Sequence, residues 1–254
     1  MKIKIIGIVL TILLSSCVSK KEIFYLQDVD DYNNGSVDYP DITIQPNDIL
    51  NISVGALLPE SARPYNRNLN STVQQNSIDI MKLQGYLVSK EKTIEFPVLG
   101  TLLVVGKTTA QLESMIKKRL TDEGHLVEPT VSVRILNAKV TVLGEVNKPG
   151  TYTFTEERIT LLQAIGYAGD LTIRGKRDDV LIMRETDGVR QISHMNLTVS
   201  DWMDSPFYYI KPNDIIVVNQ NPPKVTSAGY IGDIGTILAL SSVILSVIIL
   251  VTRS

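Results

Sequence analysis

The stretch Val140-Thr141-Val142-Leu143-Gly144-Glu145-Val146-Asn147-Lys148-Pro149-Gly150-Thr151-Tyr152-Thr153-Phe154 decides the fold. Its first seven residues alternate as a half-buried strand does. Asn147-Lys148-Pro149-Gly150 is a turn, and Thr151–Phe154 runs back. Downstream, Thr160-Leu161-Leu162-Gln163 has capping-box spacing. Leu161, Leu162, Ile165 and Ala168 make the buried face of a short helix, which Gly169 ends. A loop with Arg174, Lys176 and Arg177 follows, then the strand Val180–Arg184, the hairpin turn Asp187-Gly188 and a last strand, Ile215–Val218. Residues 138–220 thus read as one small domain.

The same plan lies upstream. Ile42, Ile44 and Ile49-Leu50-Asn51-Ile52-Ser53-Val54 alternate around the turn Gln45-Pro46-Asn47-Asp48. Residues 59–82 are polar and irregular and read as a long loop that could contact a ligand. Gly85–Val88, Thr93–Val98 and Gly100–Val105 read as strands. Thr108-Thr109-Ala110-Gln111 repeats the capping box; Leu112, Met115, Ile116 and Leu120 share one helical face; Gly124 is the stop. The strand Thr130–Leu136 closes a domain over 41–137. One echo joins the two: Ile44-Gln45-Pro46-Asn47-Asp48-Ile49 opens the first and Ile210-Lys211-Pro212-Asn213-Asp214-Ile215 ends the second. In each, the Asp is suited to cap the exposed backbone of the turn.

Composition bounds the function. The chain has 254 residues, 44% apolar and 20% charged, with 25 basic against 27 acidic side chains. That is globular rather than disordered, and too balanced for nucleic acid to be the main partner. One cysteine excludes an intrachain disulfide and a multi-cysteine zinc site. His125 and His194 are the two histidines. Neither lies near a nucleophile motif, and each reads as a solvated surface group. No phosphate-cradling glycine loop is present. The Arg174, Lys176 and Arg177 patch reads as solvated loop charge, and Trp202 with Tyr208-Tyr209 as core packing. No catalytic set, cofactor or metal site is expected.

Both ends point to a membrane. Met1-Lys2-Ile3-Lys4, the apolar run Ile5–Leu14 and Ser15-Ser16-Cys17 have the layout of a signal peptide, 1–16. Leu14-Ser15-Ser16-Cys17 resembles the lipobox of bacterial lipoproteins, in which the Cys thiol takes the lipid; Cys17 is the expected lipidation site, and 17–40 a polar tether. From Ile234 to Val251 no residue is charged and 13 of 18 are apolar. As a helix this run would be roughly 30 Å long, which predicts a C-terminal transmembrane helix over 230–252 after a linker, 221–229. Gly232, Gly235, Ala239, Ser242 and Ser246 fall on one stripe of that helix. The stripe would let helices pack closely, or would face water in a ring of them.

Pro46-Asn47-Asp48-Ile49, Phe96-Pro97-Val98-Leu99-Gly100, and Gly106 with the helix 109–121 look like the polysaccharide export domain. Leu143–Tyr152, followed by Leu161–Gly169, resembles the soluble-ligand-binding β-grasp (SLBB) module. That order, between a lipobox and a C-terminal helix, is similar to the Wza-like outer-membrane polysaccharide export lipoproteins. The resemblance implies an α+β chain: two small mixed sheet-and-helix domains followed by a transmembrane helix. It implies a homo-oligomeric ring, lipid-anchored in the outer membrane with its body in the periplasm, acting as a conduit for capsular or exopolysaccharide. Membrane lipid, the polysaccharide, and an inner-membrane co-polymerase or tyrosine kinase would be its partners. The chain departs from larger members in having one β-grasp copy, and in Ala168-Gly169-Asp170 where a second glycine is common. The alternative is a monomeric lipoprotein binding a glycan or another soluble ligand.

Overall fold

A computed structural model describes residues 23–32, 39, 41–67, 78–186 and 188–221, and seven helical positions between 235 and 246. It is a mixed α/β chain with several sheets around two hydrophobic cores.

In the first unit β1 (Ile49–Gly55) is the central strand, flanked antiparallel by β2 (Tyr86–Leu87) and β5 (Thr130–Ile135). Leu50, Ile52 and Val54 alternate inward from β1, as a period of two requires. A hairpin of β3 (Thr93–Phe96) and β4 (Gly100–Leu103) adds Ile94, Phe96 and Leu102 to the same core. Pro59–Ala62 (α1) and Ile78–Gln84 (α2) lie between β1 and β2. Helix α3 (Thr109–Asp122) covers the sheet. Thr108 and Gln111 form a complete capping box at its start, and the Leu120 carbonyl accepts both His125 and Leu126 N–H at its end. Leu112, Ile116 and Leu120 are fully buried, each contributing roughly 1.5–3 kcal/mol.

Part of the expected 59–82 loop is ordered. Pro59 starts a helical turn that runs into a 3-10 turn, Arg63–Tyr65. Asn66 then acts as a surrogate strand partner: its Oδ1 accepts Val54 N–H, and its Nδ2 donates to the Val54 and Ala62 carbonyls, each at 2.9 Å.

The second unit is a five-stranded sheet, order β10-β9-β12-β6-β7, built from β6 (Lys139–Gly144), β7 (Gly150–Thr153), β9 (Gly175–Thr186), β10 (Val189–Met195) and β12 (Ile215–Gln220). β6 and β12 pair parallel; the other neighbours are antiparallel. A two-stranded ladder joins β8 (Ile159–Thr160) to β11 (Tyr209–Ile210). Helix α4 (Leu161–Tyr167), with its capping box Thr160/Gln163, buries Leu161, Ala164 and Ile165 against Val140, Val142, Ile182 and Ile216. β6 and β12 meet closely at Gly144: its φ is +88°, and a Cβ there would stand 2.0 Å from the Val218 carbonyl oxygen.

Within the stretch expected as a tether, the chain docks on this second unit. Leu26 and Gln27 N–H donate to the Leu197 and Thr198 carbonyls, Ser200 to Asp28 and Tyr32 to Asp204.

One expectation is corrected. Among the described residues no helix is long and apolar enough to cross a membrane. The expectation rested on the hydropathy of 234–251 and on the family resemblance, and most of that run lies outside the described residues. The longest helix in the two units, α3, has 14 residues and is amphipathic; at 1.5 Å per residue it reaches about 21 Å, short of a hydrocarbon core. The described residues give no support to a C-terminal transmembrane helix.

Candidate functional site

The two echoed turns are the same device built twice. Asn47 and Asn213 take up left-handed φ values of 69° and 71°. Asp48 Oδ2 accepts Gln45 N–H, and Asp214 Oδ2 accepts Lys211 N–H, both at 2.8 Å. The N–H of each Asp returns to the Gln45 or Lys211 carbonyl. A short polar side chain at the fourth position thus closes each turn and launches a strand.

Their charge environments differ. Asp214, 1% exposed, meets Arg184 from β9, whose Nε and Nη2 reach both carboxylate oxygens at 2.7–3.2 Å. Arg184 also donates to the Pro206 and Tyr209 carbonyls and lies over the Phe207 ring. Burial pushes the Asp214 carboxyl up against the pull of Arg184. Asp48 is 4% exposed, and no ion pair to it is found among the described residues. Burial raises its carboxyl to about 6. Asn137, at the junction of the units, braces this turn: its Oδ1 accepts Ile49 N–H at 2.8 Å and its Nδ2 donates to the Asn47 carbonyl at 2.9 Å.

Both turns border one cleft of about 810 Å³ between the units. Gln45, Asn47, Lys92, Glu185, Arg190 and Asn213 give it a polar lining, with Val105, Met183 and Ile215 as apolar wall. A smaller crevice of about 200 Å³ nearby carries Glu113, Arg134, Glu156, Glu157 and Arg158. Groups of this kind bind and orient; neither lining holds a histidine, serine nucleophile or cysteine paired with a base.

The residues singled out from sequence separate. His194 pairs with Asp179 at 2.5 Å and His125 with Glu123 at 3.3 Å. His194 and Lys176 together hold the Asp179 carboxyl below its usual range. Among the described residues no group of three or more metal-ligating side chains exists. The Arg174, Lys176 and Arg177 patch dissolves because β9 begins at Gly175. Lys176 pairs with Asp179, while Arg177 turns inward, 5% exposed, onto the Leu171, Thr172 and Gly175 carbonyls beneath the Tyr25 ring. Trp202 is buried and stacks on Tyr208. Gly235, Ala239, Ser242 and Ser246 occupy exposed helical positions, and Ser242 and Ser246 donate to carbonyls one turn back. Gly232 and Cys17 lie outside the described residues.

Sequence reading missed Arg184, Asn137 and the cleft. The signal for Arg184 was its inward register on β9; the cleft needs the two units in place.

Comparison with known proteins gives two matches to family models. Residues 36–136 match the polysaccharide biosynthesis/export protein family, and residues 139–192 match the SLBB domain. The EPS I polysaccharide export outer membrane protein EpsA of Ralstonia nicotianae is 28% identical over 161 residues, covering 61% of this chain and 41% of its own length. The capsule polysaccharide export outer membrane protein CtrA of Neisseria meningitidis is 28% identical over 196 residues, covering 75% of this chain and 47% of its own. The aligned segments thus span less than half of either relative.

Proposed function

We propose, for a chain that belongs to the polysaccharide biosynthesis/export family and carries an SLBB domain, a role in exporting capsular or exopolysaccharide at the outer membrane. The observation that carries this reading is the pairing itself: an export-family unit and an SLBB unit, each with its own core, meeting at a cleft lined for contact rather than catalysis. The relatives' names, both outer membrane polysaccharide export proteins, support the location and the cargo. The role is transport and not catalysis. In this account copies of the chain assemble as a ring around the polymer, Cys17 carries lipid, and an inner-membrane co-polymerase or tyrosine kinase drives transfer. The small residues Gly232, Gly235, Ala239, Ser242 and Ser246 serve as close-packing positions between copies.

Particle images of the full-length protein in mild detergent test the conduit. Closed rings with a central channel are expected; particles without a channel would overturn it and favour the ligand-binding lipoprotein.

A further inference from the structure

The sheet of the second unit has two faces. Val180, Ile182, Ile216 and Val218 fill its core. On the other face the register aligns Ile192, Met183 and Ile215 in one row, and His194, Leu181, Val217 and Leu143 in the next. Ile192 is 57% exposed and Leu143 is 42% exposed. Met183 and Ile215 continue this apolar face into the cleft, beside Lys92 and Arg190.

A matching feature stands at the opposite end of the first unit. β1 and β5 end their ladder at Gly55 and Thr130. Just beyond it project Leu57, Leu58 and Val127, which are 93%, 69% and 84% exposed. Glu128 follows Val127 and is also exposed. The seven residues of β1 separate this tip from the Gln45–Asp48 turn at the cleft, roughly 23 Å at about 3.3 Å per residue.

We propose that the cleft seats the tip of a second copy of this chain. Leu57, Leu58 and Val127 of one copy pack against Met183 and Ile215 of the next, and Glu128 approaches Lys92. This rests on the oligomeric reading above and assigns its surfaces. Three observations select a second copy as occupant. The tip is a cluster of projecting apolar side chains of a kind that marks interaction sites. Its acid, Glu128, is opposite in charge to Lys92 of the cleft, whose other exposed base, Arg190, is paired with Glu185. Tip and cleft lie at opposite ends of the first unit, so the contact is heterologous and repeats from copy to copy, which closes a ring when the rotation allows.

The test is the native mass of the full-length protein in mild detergent as a function of concentration. Leu57→Asp combined with Val127→Asp changes positions already in solvent, so thermal stability stays at the wild-type value. The subunit dissociation constant is expected to rise about 100-fold or more, as for loss of an interface hot spot. Lys92→Glu is expected to weaken assembly, and adding Glu128→Lys to restore it. An oligomer of unchanged mass in the Leu57→Asp/Val127→Asp variant overturns the assignment of surfaces and leaves the oligomer standing. A wild-type chain that stays monomeric at every concentration overturns the oligomeric reading and this inference with it.

Discussion

The twin turns make opposite responses to one substitution predictable. Asp48 and Asp214 hold the same position in the same turn, yet Asp214 faces Arg184 and Asp48 meets no such cation among the described residues. Burial lifts the Asp48 carboxyl to about 6, against about 3.9 in an unfolded chain. The native state therefore holds the proton more tightly than the unfolded state does. The contribution of Asp48 to stability is highest below pH 4, falls as pH rises through 6, and is flat above about 7. Two pKa units correspond to roughly 3 kcal/mol of lost stability at neutral pH. Asp48→Asn keeps an acceptor for Gln45 N–H and removes the buried charge, so it is expected to gain about 1–2 kcal/mol at pH 7.5, a melting shift of a few degrees. Asp214→Asn removes the anion beside a buried guanidinium and is expected to cost about 3–5 kcal/mol. Thermal unfolding of both variants between pH 4 and 8 reads the difference. Destabilisation by Asp48→Asn at pH 7.5, or a fall in stability between pH 4 and 6 no shallower than that of the wild type, would show that Asp48 is not a lone buried charge.

Three further outcomes are expected. Gly144→Ala drives a Cβ into the Val218 carbonyl at a φ of +88°; it should cost more than about 2 kcal/mol and show as loss of hydrogen-exchange protection in β6 and β12 before β1. Thr160→Ala opens the capping box of α4 and should cost about 1 kcal/mol by denaturant titration, with Ser restoring most of it. Cys17→Ser should abolish labelling of this chain by fatty acid fed to the expressing cells, and continued labelling of the chain would place the lipid elsewhere.

Local chemistry was the legible part of the fold. Both capping boxes and the two Asn-Asp turns follow from side chains bonding to backbone within four residues, and the stop after α3 from the positive φ of 75° that Gly124 takes; each stands in the structure. Non-local effects were not legible. Lys176–Asp179 looked like loop because the run is charged, but pairing with β12 and β10 extends β9 to 12 residues and turns Arg177 inward. Residues 59–67 looked irregular because Asn66, rather than a hydrophobic period, organises them. Tyr25 and Leu26 sat in a polar stretch whose docking depends on the turn after β10, about 170 residues away. At the C-terminus, hydropathy and the family resemblance suggested a spanning helix, and the described residues contain none. Of the site, the turns were visible from their echo; the cleft was not, since its walls come from both units.

Where the polysaccharide goes when this chain is removed decides whether the chain exports it. A deletion strain is compared with its complemented parent, measuring polymer on the cell surface and polymer retained inside the envelope. An export role requires that surface polymer disappears, that retained polymer is still made, and that the wild-type chain restores export. Unchanged surface polymer in the deletion strain would contradict it.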